Sequence, residues 1–217
     1  MNRRTIILGW LKIIAGLLVF SLGVHLTIRA DLGVAPWDCL GMGIAGRTSL
    51  NYGIAMTVTS VMILVIDLIM KEKIGFGTVI DALCTGNFVQ FFNDIDPFPK
   101  TEGVITGIII ILAGLALMAI GQYFYMSSGQ CCGPRDALLV GFGKRMKTLP
   151  IGAVQMILWG TVLLAGWMLG GPVGIGTLVS TFGSGVVMQM IYGMIHFDPR
   201  SVVHQGILET AALLQRD

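Results

Sequence analysis

Ala35-Pro36-Trp37-Asp38-Cys39-Leu40-Gly41-Met42-Gly43 has a counterpart in Gly133-Pro134-Arg135-Asp136-Ala137-Leu138-Leu139-Val140-Gly141, and this pair decides how the chain is read. Pro36, Asp38, Leu40 and Gly43 recur 98 positions later as Pro134, Asp136, Leu138 and Gly141. Proline suits the first helical position, where its missing N–H would have no partner. An acid two residues on meets the positive end of the helix dipole. Two short helices are therefore expected, from Pro36 to about Ala45 and from Pro134 to about Phe142. At 1.5 Å per residue each reaches only about 15 Å, half of a hydrocarbon layer of roughly 30 Å.

The surrounding sequence is apolar. Of 217 residues, 54% are hydrophobic and 12% charged, and mean hydropathy is +0.82. A soluble domain carries about a quarter charged residues. No Asp, Glu, Lys or Arg occurs from Thr148 to Phe197 or from Val104 to Pro134. The chain is expected to be an all-α polytopic membrane protein. Six spans are expected: Thr5–Ile28, Tyr52–Met70, Gly75–Phe92, Val104–Met126, Pro150–Leu169 and Gly174–Ile195. The apolar N-terminal run has no small-residue cleavage site behind it and reads as a retained helix.

The repeat extends beyond the short elements. Gly23 matches Gly121 and Arg47 matches Arg145; one inserted residue then moves the offset to 99. Gly53/Gly152, Gly75/Gly174, Gly77/Gly176, Thr78/Thr177, Gly86/Gly185 and Gln90/Gln189 continue the series. If the short elements dip in and return, each half has three spans, and an odd number inserts the halves upside down. The fold expected is an inverted 3+3 transmembrane repeat with two re-entrant half-helices, comprising residues 1–102, residues 103–197 and a cytoplasmic tail, 198–217. Arg3, Arg4, Lys71, Lys73, Lys144, Arg145, Lys147 and Arg200 then share one side, the cytoplasmic one by the positive-inside rule. Both termini lie on it. The tail mixes charged residues with Ile207, Leu208, Leu213 and Leu214 and is expected to form a short amphipathic surface helix.

Inverted repeats with broken helices are how many transporters build a midplane site with helix N-termini aimed at the ligand. Asp38 and Asp136 are the leading candidates, because carboxylates at membrane depth are costly and mark function. They either hold a small polar or charged solute or cap their own helices through backbone N–H groups. Trp37 and Arg135 occupy equivalent positions, one an aromatic wall and the other a fixed charge. The arginine could take an anionic group or pair with Asp136 or Asp38. Pro36, Pro134, Gln90 and Gln189 complete the expected site. Asp81, about one turn inside the third span, and Asp67, near the cytoplasmic end of the second, are further acids at depth. Asn87 and Gln155, like Gln90 and Gln189, also suit interhelical packing, and His25 reads as structurally satisfied.

No HExxH, GxSxG or Walker-type motif is present, so no enzyme, metal site or cofactor is expected. Cys39, Cys84, Cys131 and Cys132 lack metal-ligand spacing and read as small hydrophobes. A net charge of +2 gives no argument for nucleic acid. The expected role is a small permease that binds a solute between the two Pro-x-Asp helices. The alternative is a non-enzymatic solute-capture or accessory subunit of a partner complex. The cytoplasmic loops leave room for a second copy or an accessory protein to dock.

Three stretches carry a family resemblance. They are Ala30-Asp31-Leu32-Gly33-Val34-Ala35-Pro36-Trp37-Asp38, Gly133-Pro134-Arg135-Asp136, and Trp167 to Thr177 with its Gly-Gly-Pro-Val-Gly-Ile-Gly-Thr. Together they resemble the bacterial YczE-like (YczE/YyaS/YitT) integral membrane proteins over nearly the whole chain. That likeness implies a multi-pass protein of the bacterial cytoplasmic membrane and leaves the substrate open. Members usually show Ala-Gly-Leu-Gly before each Pro-x-Asp, whereas the second copy here reads Ser127-Ser128-Gly129-Gln130-Cys131-Cys132-Gly133.

Overall fold

The computed structural model describes residues 3–98, with side chains from residue 8, and residues 101–130, 132–202 and 206. Among these are eight α-helices: α1 Arg3–Arg29, α2 Pro36–Arg47, α3 Tyr52–Ile69, α4 Phe76–Ile95, α5 Val104–Met126, α6 Pro134–Arg145, α7 Ile151–Met168 and α8 Ile175–Met194. A 3-10 turn at Pro199–Ser201 follows, and the remainder of the expected tail helix, like Cys131 and Lys100, lies outside the described residues. The helices fall into two series of matched length. α2 and α6 have 12 residues each, α3 and α7 have 18, and α4 and α8 have 20.

Five helices are long and apolar enough to cross a membrane: α1, α3, α5, α7 and α8. The sixth expected span, α4, has the length of α8 but not its hydropathy. Asp81, Thr85, Asn87, Gln90, Asn93 and Asp94 all fall on it, and Asp81 and Thr85 turn inward to a cavity described below. The outer surfaces of the apolar helices stay unpacked, with Ile105 77% and Met168 76% exposed. α2 and α6 run slightly further than expected, to Arg47 and Arg145, yet at 12 residues they reach about 18 Å, well short of a bilayer.

The centre is the crossing of α1 and α5. A Cβ on Gly16 would lie 2.8 Å from the Gly121 carbonyl, and one on Gly23 would lie 2.6 Å from that of Gly114. The pairing of 16 with 121 and 23 with 114 makes the helices antiparallel, with backbones as close as glycine allows. Around this axis the contacts recur in swapped pairs. α4 packs on α1 as α8 packs on α5, and α2 packs on α7 as α6 packs on α3.

Hydrogen bonds at the helix ends repeat the swap. Gly176 N donates to the Leu32 carbonyl at 2.7 Å, and Gly77 N donates to that of Gln130 at 3.0 Å. Thr78 and Thr177 accept from the backbone N–H of Gly75 and Gly174. The threonine of each Gly-x-Gly-Thr motif thus caps its own helix N-terminus, and the motif's second glycine receives a loop carbonyl from elsewhere in the chain. Gly33, at φ +103°, lets that loop approach: a Cβ there would lie 2.6 Å from Gly174 N.

At the far ends of the short helices, Arg47 Nε donates to the Leu169 carbonyl at 3.0 Å, and an Arg145 terminal nitrogen donates to that of Met70 at 2.9 Å. Arg145 and Lys144 also pair with Glu72. Lys71, Glu72, Lys73, Lys144 and Val202 thereby gather around one vestibule of about 340 Å³. Arg29, Asp96 and Arg47 lie away from it, with Arg29 and Asp96 ion-paired. The Arg145 side chain is half exposed, so Arg145→Ala is expected to cost only about 1 kcal/mol, and less in high salt. Thermal unfolding in detergent at two salt concentrations checks this.

Candidate functional site

The N-termini of α2 and α6 meet in the interior. The guanidinium carbon of Arg135 sits 5.3 Å from the centroid of the Trp37 ring. A terminal nitrogen of Arg135 also approaches Met56 Sδ at 4.0 Å. The two residues that hold equivalent places in the repeat are thus stacked on one another, in cation–π geometry. Pro36 and Pro134, both buried, open the two helices as expected.

The acids do not cap their own helices: the cap residues Ala35 and Gly133 offer no side-chain bond, and each carboxylate is held from another helix. Asp38, 2% exposed, accepts from the Tyr52 hydroxyl at 2.6 Å. Asp136 accepts from Gln122 Nε2 at 2.5 Å and from the Tyr125 hydroxyl. Gln122 in turn accepts from the Tyr192 hydroxyl at 3.5 Å. A third acid arrives from α4, where Asp81 accepts from the Thr85 hydroxyl. Its carboxylate occupies the space where a side chain on Gly133 would be, so Gly133 is what lets Asp81 reach the start of α6. Ser180, the sequence counterpart of Asp81 on α8, is buried and without a hydrogen-bond partner among the described residues.

Between these groups lies a cavity of about 30 Å³. Trp37, Arg135 and Asp136 line it together with Asp81, Thr85, Gln122, Tyr125, Ser60, Phe20, Leu139, Leu158 and Trp159. That volume holds about two water molecules or one small ion. Asp38 stands just behind the wall, within electrostatic reach of Arg135. Gln90 and Gln189 are not brought here. Gln90 donates to Asp94 at 2.7 Å, and Gln189 accepts from Gly152 N at 3.4 Å, because their helical positions place them away from the face that carries Asp81 and its counterpart Ser180.

Sequence reasoning missed Tyr52, Gln122, Tyr125, Thr85 and Trp159. One signal was available: Gln122 and Tyr125 are three apart, hence on one face, in an otherwise apolar helix. His25 Nδ1 donates to Asn93 Oδ1 at 2.8 Å, away from the cavity lining. Among the described residues no group of three His, Cys, Asp or Glu could hold a metal ion.

A family model described as "Family of unknown function (DUF6198)" matches residues 7–193. The chain belongs to this family. Within the DUF6198 chain the match takes in every helix except the first few residues of α1 and the last residue of α8. Similar proteins include the membrane protein YczE of Bacillus subtilis (strain 168), 30% identical over 193 residues, 86% of each chain. A protein of Haemophilus influenzae is 29% identical over 177 residues, 82% of this chain and 80% of its own. YyaS of Bacillus subtilis (strain 168) is 26% identical over 191 residues, 84% of this chain and 92% of its own. The YczE-like resemblance read from Ala30–Asp38, Gly133–Asp136 and Trp167–Thr177 is thereby confirmed. No solved structure matches the chain.

Proposed function

We propose that this DUF6198 protein is a small, non-enzymatic permease of the bacterial cytoplasmic membrane, taking a small polar or charged solute between the N-termini of α2 and α6. The observation that carries this reading is the small cavity, with Asp81, Arg135 and Asp136 in its lining, at the place where two helices, each too short to span, bring Trp37 and Arg135 face to face. Ionisable side chains at membrane depth are costly, and those that persist there mark function. Three carboxyl groups stand against one guanidinium, and that acidic excess suits a solute bearing a cation or several hydrogen-bond donors.

The antiparallel α1/α5 crossing and the swapped contacts support an inverted 3+3 repeat, with α2 and α6 as half-helices re-entering from opposite faces. In that arrangement the Lys71/Lys144 vestibule lies on the cytoplasmic side. Alternating access then consists of one half rocking against the other about the glycine crossing.

The test is a thermal-shift screen of the purified protein against ammonium, methylammonium and small inorganic cations, sized to a cavity that holds one small ion, with carboxylates as the opposite-charge control. A true solute at about a hundred times its Kd should stabilise the protein by about 2.7 kcal/mol. Trp37→Ala and Asp136→Asn are expected to remove that shift, and proteoliposomes are expected to take the same compound up. A shift that survives both substitutions places the binding elsewhere and defeats the assignment.

A further inference from the structure

We propose that Asp67 is a proton carrier linking the central cavity to the vestibule, with Asp136 on one side of it and Glu72 on the other. Asp67 sits near the end of α3 and is 0% exposed, and neither carboxylate oxygen has a hydrogen-bond partner among the described residues. A buried carboxylate with no donor and no cation costs several kcal/mol. Binding a proton removes that cost.

Its position fits transfer in both directions. α3 and α6 run parallel and touch at both ends of this stretch, Arg135 against Met56 and Arg145 against the Met70 carbonyl. Asp67 lies between those two contacts. On the buried face of α3, Ser60 reaches the cavity two turns before Asp67. Glu72 follows in the next turn, its backbone N–H donating to the Asp67 carbonyl at 2.9 Å, and it lines the vestibule.

The charged groups around Asp67 leave this role open. Glu72 and Asp136 act on it electrostatically. Lys144 and Arg145 of α6 are engaged by Glu72, Asp38 of α2 by Tyr52, and Asp81 of α4 by Thr85. One proton passes from a Glu72 carboxyl released from Lys144 and Arg145 to the Asp67 carboxylate, leaving Glu72 ionised. It then passes along water over the two helical turns between Asp67 and Ser60 at the cavity to Asp136, leaving Asp67 ionised; no electron is transferred. The purpose of the relay, coupling solute movement to a proton gradient, rests on the permease reading. Detecting the relay does not.

The experiment uses the full chain in lipid vesicles. Dicyclohexylcarbodiimide attacks protonated carboxyls in apolar surroundings, and peptide mapping near neutral pH is expected to find it on Asp67. Infrared spectroscopy in heavy water follows exchange of the acid carbonyl band that Asp67→Asn removes. Glu72→Gln is expected to slow that exchange about a hundredfold, the scale of losing a positioned proton donor. An unlabelled Asp67 overturns the proposal. So does an exchange rate unchanged in Glu72→Gln, which would make Asp67 a static packing acid. Should Asp67→Asn fail to fold, labelling of the wild type and the effect of Glu72→Gln still decide the matter. Labelling and exchange as expected, with no solute found by the thermal screen, would defeat the permease reading alone.

Discussion

Arg135→Met is expected to destabilise the protein by about 3–5 kcal/mol, the range for removing the counter-charge from buried acids. The Arg135 guanidinium lies within electrostatic reach of Asp38, Asp81 and Asp136 at once. Methionine keeps the length and the apolar contact with Trp37, so the substitution isolates the charge. Tyr52, Thr85, Gln122 and Tyr125 can still donate to the three carboxyls, but among the described residues no cation would then share the cluster. Arg135→Lys keeps the charge and loses the planar stack on Trp37, and is expected to cost about 1 kcal/mol. Unfolding temperatures of the purified variants, together with the folded fraction recovered from membranes, make the comparison. A methionine variant as stable as the lysine variant would mean that the acids do not depend on the guanidinium.

Gly121→Val is expected to cost about 3 kcal/mol or to prevent folding, the upper end for forcing bulk into a packed interior. A Cβ on Gly121 falls 2.6 Å from the Gly16 carbonyl oxygen and 2.6 Å from Phe20 N. Both are backbone atoms on a facing helix, so no side chain can turn aside. Relief would need α1 and α5 to separate, and every swapped contact around them would shift. Gly160 in α7 provides the control, since a Cβ there meets nothing within 4 Å. Gly160→Ala is expected to stabilise by about 0.5–1 kcal/mol through helix propensity alone. Equal effects at the two glycines would show that the crossing is not tightly packed.

Much of the fold was legible because its signals are local. Pro36 and Pro134 mark helix starts by their own covalent geometry, and the long uncharged stretches mark spans by what water and hydrocarbon each tolerate. Trp37, Arg135 and Asp136 were found at the cavity because a helix N-terminus, a proline and a buried acid occur together in sequence. The repeat showed that α2 and α6 are equivalent, hence that their first turns can meet. It misled at Gln90 and Gln189, where equivalence reflects matched helix positions away from the cavity. It also ranked α4 as a span equal to α8, although polar residues on α4 lower its hydropathy.

Local sequence was thus enough for the membrane class, two series of helices of matched length, the two short elements and the residues at their tips. Tertiary structure alone decided what those tips touch. Tyr52, Gln122 and Tyr125 hold the acids, Asp81 enters over Gly133, and Asp67 is left buried with no hydrogen-bond partner among the described residues. The physical reason is range. Helix starts and hydrophobic spans depend on neighbours within a turn or two, whereas these partners lie on different helices and meet only when the glycine crossing sets how closely α1 and α5 approach.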